Sequence, residues 1–165
     1  MKISVILTAF IMITSVTLAQ EITITDTLKQ EYALGKMSWF EWQQKAGWPD
    51  YSAKEYSPGD YIGKIKQSLD GRDISFVIVG ASWCGDSKKG MPEIFKMISL
   101  LEIKDTCILL IGVDRDKLDP ESISIQYGIE KVPTLIVYEE GKELGRIVEI
   151  PLLSWHEDLL EILKK

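Results

Sequence analysis

Two kinds of apolar pattern alternate along the chain. Residues 74–80 (ISFVIVG) and 107–113 (CILLIGV) are apolar without alternation, as expected of central strands covered on both faces. Residues 134–138 (TLIVY) and 144–150 (LGRIVEI) flank Glu140-Gly141-Lys142 and predict a hairpin. Between these runs the period is helical: Tyr61, Ile62, Ile65 and Leu69; then Met91, Ile94, Phe95, Ile98 and Leu101; and last Leu159, Leu160 and Leu163. Ser38 with Glu41 and Ser154 with Glu157 have capping-box spacing, while Ser57-Pro58-Gly59-Asp60 offers an N-cap, a first-turn proline and an acid at N3. A further helix is predicted from about Pro120 to Tyr127, stopping at Gly128. Ile22, Ile24 and Thr25 read as a peripheral strand or arm. From residue 74 the order is β-α-β-α-β-β-α, which requires a mixed sheet flanked by helices, parallel at its start and antiparallel at its finish.

The amino-terminal residues follow a different logic. Lys2 precedes an apolar run through Phe10 and Ile13, and Thr17-Leu18-Ala19 closes it with a small-x-small pattern, so residues 1–19 read as a secretory signal peptide. Serines and threonines dilute the run below a convincing membrane-spanning helix. The expected organisation is a signal at 1–19, an N-terminal helical extension at 20–71 and an α/β domain at 72–165. Signal removal takes away one lysine and no acid, leaving 18 basic and 25 acidic residues, net −7. A soluble periplasmic or secreted monomer is expected, with no integral membrane segment after cleavage. The acidic balance argues against nucleic acid as a partner.

Two cysteines and one histidine in 165 residues cannot build a disulfide framework or a four-ligand zinc site. Any cysteine chemistry therefore rests on one residue or one pair. Cys84 follows the strand 74–80 and opens a helix, where unpaired N–H groups and the positive end of the macrodipole favour thiolate. Asp86 opposes this by a comparable amount, Lys88 and Lys89 add screened attraction, and the Ser87 hydroxyl is in position to donate to sulfur.

Trp83-Cys84-Gly85-Asp86-Ser87 resembles the W-C-x-x-C motif of thioredoxins. Pro92, eight residues beyond Cys84, matches the proline that kinks the thioredoxin active-site helix. Tyr127-Gly128-Ile129 with Val132-Pro133-Thr134 resembles the Y-G-I-x-x-x-P-T segment, and Gly141 fits the last hairpin. Over about residues 72–164 this resemblance implies a thioredoxin-like fold, Pro133 as the cis-proline facing the sulfur, and thiol–disulfide exchange without a cofactor. It assigns Cys84 and Ser87 to catalysis, and Trp83, Gly85, Asp86, Val132, Pro133 and Thr134 to holding protein or low-molecular-weight thiols and disulfides. An extended substrate is expected to add as a strand beside Val132.

The chain departs from the thioredoxin pattern twice. Ser87 stands in the place of the resolving cysteine, and Ile78 where thioredoxins bury an aspartate. Cys84 can then form a mixed disulfide but cannot expel its partner by closing an internal bridge. Cys107, at the far end of the neighbouring parallel strand, is expected about 17–20 Å away, beyond the roughly 7 Å limit for a bridge, and reads as a small core residue. The expected activity, if any, is that of a single-cysteine thiol–disulfide oxidoreductase or isomerase. A non-catalytic binding module, or an envelope assembly protein acting through the extension, would use the same fold differently. Trp39, Trp42, Trp48, Tyr51, Tyr56 and Tyr61 are expected to pack that extension onto the sheet. Asp114, Asp116 and Asp119 lack the glycine and terminal glutamate of a calcium loop and read as a solvated turn. No metal site is expected, and His156 reads as a surface residue.

Overall fold

The computed structural model describes residues 32–48 and 53–165. The signal peptide at 1–19, the arm at Ile22 to Thr25 and Tyr51 lie outside the described residues. Tyr32–Lys165 form one compact unit. In chain order its elements are β1 (Gly35–Lys36), α1 (Trp39–Lys45), α2 (Tyr61–Leu69), β2 (Ile74–Gly80), α3 (Gly85–Leu101), β3 (Ile108–Gly112), β4 (Thr134–Glu139), β5 (Lys142–Val148) and α4 (Trp155–Leu163). The strands form one mixed sheet in the order β1-β3-β2-β4-β5. β2 runs parallel to β3, with Phe76 opposite Ile108 and Gly80 opposite Gly112. The β2–β4, β4–β5 and β1–β3 pairs are antiparallel.

Alternation along β2 explains why its run is apolar throughout. Phe76 and Ile78 face a core shared with Leu110, Leu135 and the helices, while Val77 and Val79 face the other side with Ile111 and Ile136. The helical face is closed by Trp42 of α1, Ile65 of α2, Ile94 and Ile98 of α3, and Leu159 of α4, all buried. The opposite face is covered by the loop after β3, through Ile123, Tyr127 and Ile129.

That second face corrects the sequence reading. Instead of a helix from Pro120 to Tyr127, the chain makes one 3-10 turn, Ser124–Tyr127. The buried Asp119 carboxylate accepts the N–H groups of Glu121 (3.1 Å) and Ser124 (2.7 Å), and Ser122 takes φ +57°, so a continuous helix cannot start. Asp119 is thus a buried loop organiser, not part of a solvated turn. Its acceptor role holds its carboxyl below the usual range despite burial.

The helix caps divide similarly. Ser38 and Glu41 form the complete capping box of α1. Ser154 Oγ accepts the Glu157 N–H and donates to the Glu157 carboxylate. The Ser57 cap is not formed: Gly59 takes φ +53°, turning the chain before the helix, and α2 starts from Asp60 without a side-chain cap. Gly112 needs its missing side chain for another reason, since a Cβ there would lie 1.8 Å from the Ala33 carbonyl oxygen. This close approach lets β1 lie along β3.

Candidate active site

The site is built where β2 ends. After Gly80 the chain turns through Ala81 and Ser82, the Cys84 N–H donates to Ala81 O (3.0 Å), and Cys84 becomes the N-cap of the 17-residue helix α3. No side chain caps that helix, so the N–H groups of its first turn are not taken by an N-cap side chain. The thiol is half-buried, and its Sγ–H donates to Val132 O at 3.4 Å. Val132–Pro133 is a cis peptide bond. Gly90, one turn and a half into α3, leaves room for the Pro133 ring and Trp155: a Cβ on it would meet Trp155 at 2.9 Å and Pro133 at 3.1 Å.

Ser87 is fully buried and its Oγ accepts the Ala81 N–H at 3.1 Å. The expected donation from Ser87 to the Cys84 sulfur is not what the structure shows. Satisfying a buried backbone N–H in the turn ahead of Cys84 makes Ser87 a positioning residue for the loop. Trp83 is fixed by its indole Nε1–H to Val113 O (3.2 Å), with the Arg115 guanidinium 5.0 Å from the ring centre. Thr134 is buried, and its hydroxyl donates to Lys131 O (2.7 Å), pinning the turn that carries the cis bond. Gly85 is exposed at the start of α3 and Asp86 follows it. Cys84 and Val132 therefore meet, with Pro133 following Val132, Trp83 in the turn before Cys84, and Gly85 and Asp86 in the first turn of α3; Ser87 and Thr134 hold the frame.

Several neighbours carry no motif. The Lys131 ammonium binds the Glu149 carboxylate at 2.5 Å. This pairing, with the Asp86 charge nearby, raises the Lys131 pKa above its ordinary value. Asp86, Glu149, Ile150 and Trp155 line a cavity of about 230 Å³ beside the loop. Glu93 lies in the same cavity, its carboxyl pushed up by burial against the opposing pull of Lys89 and a hydrogen bond with Trp155. Ser82 Oγ accepts the Ala33 N–H at 3.0 Å, tying the chain ahead of β1 to the turn before Cys84. No local pattern signals these pairs, because each partner lies 18 or more residues away in sequence.

Three other expectations meet the structure here. Cys107 is half-buried at the end of a 3-10 turn, not a full core residue, since that turn lifts it out of the strand. Neither cysteine is bridged, and Cys107 precedes β3 at the end of the sheet opposite Cys84. Ile78 is buried in the core, so the place of the missing aspartate is wholly apolar. Among the described residues no three metal-ligating side chains cluster, and no helix is long and apolar enough to cross a membrane.

A strand delivering a cysteine to a helix terminus, in a mixed sheet flanked by helices, defines an α/β fold. The thioredoxin family profile matches residues 60–162, and the chain belongs to that family. It is 35% identical over 68 residues to the thioredoxin of Chlamydia caviae, covering 41% of this chain and 61% of that protein. It is 35% identical over 74 residues to the protein disulfide-isomerase of Ricinus communis, covering 45% of this chain and 15% of that one. The chain thus spans less than two-thirds of either relative. The solved thioredoxin of Trypanosoma brucei brucei is 22% identical, with TM-score 0.38, covering 67% of this chain and 88% of that one.

Proposed function

We propose that this protein is a single-cysteine thiol–disulfide exchange protein of the cell envelope, exported by residues 1–19. The observation that carries the reading is the placement of the Cys84 sulfur at an uncapped helix N-terminus, 3.4 Å from Val132 O, with a buried serine at the position of a resolving thiol. Cys84 thiolate attacks a disulfide R–S–S–R′, forming Cys84–S–S–R and expelling R′ as thiolate. No electrons are gained or lost overall. A second thiol from solution then attacks the mixed disulfide, forms a new disulfide with R and returns Cys84 as thiolate.

The carbonyl of Val132 has a part in this sequence. While Cys84 is a thiol, its S–H occupies that oxygen. Once the thiol ionises the S–H is gone, and when sulfur has entered a disulfide Val132 O is available to an N–H of an extended substrate. Pro133 cannot compete as a donor, and its carbonyl already accepts the Glu149 N–H at 2.7 Å.

Capture from envelope extract under non-reducing conditions, comparing wild type with Cys84→Ala, tests the reading. Adducts released by dithiothreitol and absent from the variant are expected. Identical, reductant-insensitive partners in both would overturn exchange in favour of a groove that ignores the sulfur.

A further inference from the structure

A cavity lies away from Cys84, in the groove between α1, the second half of α3 and β3. Its volume is about 810 Å³, within the roughly 300–1,000 Å³ typical of small-molecule sites. None of the residues 83–87 or 131–134 lines it. Met37, Ile98 and Leu110 supply an apolar floor. Trp39 and Phe95 stack at 4.3 Å, within 6° of parallel, and form one wall.

The rim is predominantly acidic. Glu41, Glu102, Asp105 and Glu121 line the groove, and Lys36 is its one basic lining residue. Lys66 pairs with Glu102 at 2.6 Å, which offsets one carboxylate and leaves three against Lys36. The Glu41 carboxylate is held in place by the Ser38 N–H and hydroxyl, so its charge is fixed at the mouth. Negative charge above an apolar, aromatic floor repels anions and gives a neutral apolar molecule no polar reward, whereas an apolar cation satisfies both layers.

We propose that this groove binds a small organic cation with an apolar body, an alkyl- or arylammonium, its hydrocarbon on the Met37–Leu110 floor and its ammonium among the rim carboxylates. The site is independent of Cys84. Calorimetric titration of the full chain with n-octylammonium, octanoate and octanol tests it. Saturable one-to-one binding of the ammonium is expected, about tenfold or more tighter than either other probe. Asp105→Asn with Glu121→Gln, both at exposed positions, is expected to weaken the ammonium about tenfold and leave octanol unchanged. Ser99 is exposed on the same groove, and Ser99→Trp is expected to abolish binding while the thermal midpoint stays put. Equal binding of all three probes, no binding of the ammonium, or full binding by Ser99→Trp would each overturn the proposal.

Discussion

At Ser87 a single hydroxyl decides both the shape of the Cys84 loop and the fate of whatever Cys84 captures. Its oxygen holds the buried Ala81 N–H, and its identity denies the site a second thiol. Cys84 is the N-cap of α3 and Ser87 its third helical residue, a spacing that puts Cβ atoms about 5–6 Å apart before any adjustment, near the range that disulfides span. Ser87→Cys is therefore expected to form an internal bridge on oxidation. Of its three thiols only that of Cys107 would then react with Ellman's reagent under denaturing conditions, and mixed disulfides trapped by wild type would no longer accumulate. Three reactive thiols after oxidation would refute it. Sulfur is the weaker acceptor for Ala81 N–H, so a stability loss of about 1 kcal/mol is expected alongside. The sequence shows where the thiol sits, because a strand, a cysteine and a helix start are all local signals. It hides the bonding of Ser87, since whether that side chain turns toward sulfur or toward Ala81 depends on how the turn between them folds.

Between elements, one polar link hidden from the sequence joins α4 to the segment before α2. His156 is not a surface residue: its Nδ1 lies 3.0 Å from the Tyr56 hydroxyl, and the rings of Tyr56 and Tyr61 pack against it. Burial, with a smaller push from Glu93, raises the Tyr56 phenol pKa well above its ordinary value, so the hydroxyl keeps its proton and can donate to a neutral Nδ1. Protonating that nitrogen would remove the acceptor. Burial holds the His156 pKa below its ordinary value, against a smaller upward pull from Glu157. The unfolded chain takes up this proton at about pH 6.5, and the folded chain only at lower pH, so acidification through that window favours unfolding. Glu93, raised by burial, has the opposite sign: its contribution is full below its ordinary value and fades as pH rises through its folded one. Thermal melts of wild type and His156→Gln at pH 7 and 5.5 separate the two, since Glu93 is common to both. A smaller fall in midpoint for the variant is expected, and equal falls would remove His156 from the account. Local elements were legible wherever their bonds are local, as in the Ser38–Glu41 box. The caps at 57–60 and the helix at 120–127 failed because positive φ at Gly59 and Ser122 redirects chains whose residue types favour helix.

At the scale of the molecule, the sheet accounts for most of what the sequence discloses. Unbroken apolar runs mark β2 and β3 because both faces are covered, and the hairpin turn at Glu140 and Gly141, both at positive φ, marks the antiparallel edge. What the runs do not disclose is how far the core reaches toward the amino terminus. The pattern changes character near residue 72, yet Trp42 and Ile65 are fully buried and Met37 and Trp48 nearly so, all in the same cluster as Phe76, Ile98 and Leu159. The reason is geometric: β3 would be a bare edge without β1, and the helical face of the sheet needs α1 and α2 to close it. Burying a large apolar side chain contributes about 1.5–3 kcal/mol, so these four residues together contribute on the order of 10 kcal/mol, comparable with the roughly 5–15 kcal/mol net stability of a typical domain. A chain comprising residues 72–165 alone is accordingly expected to lose cooperative unfolding and near-ultraviolet circular dichroism and to bind an apolar dye such as ANS, although it keeps Cys84, Pro133 and every strand except β1. A single sharp melt of that fragment at the midpoint of the full chain would show instead that the sheet stands without its amino-terminal cover, and that the aromatic residues before it serve another purpose.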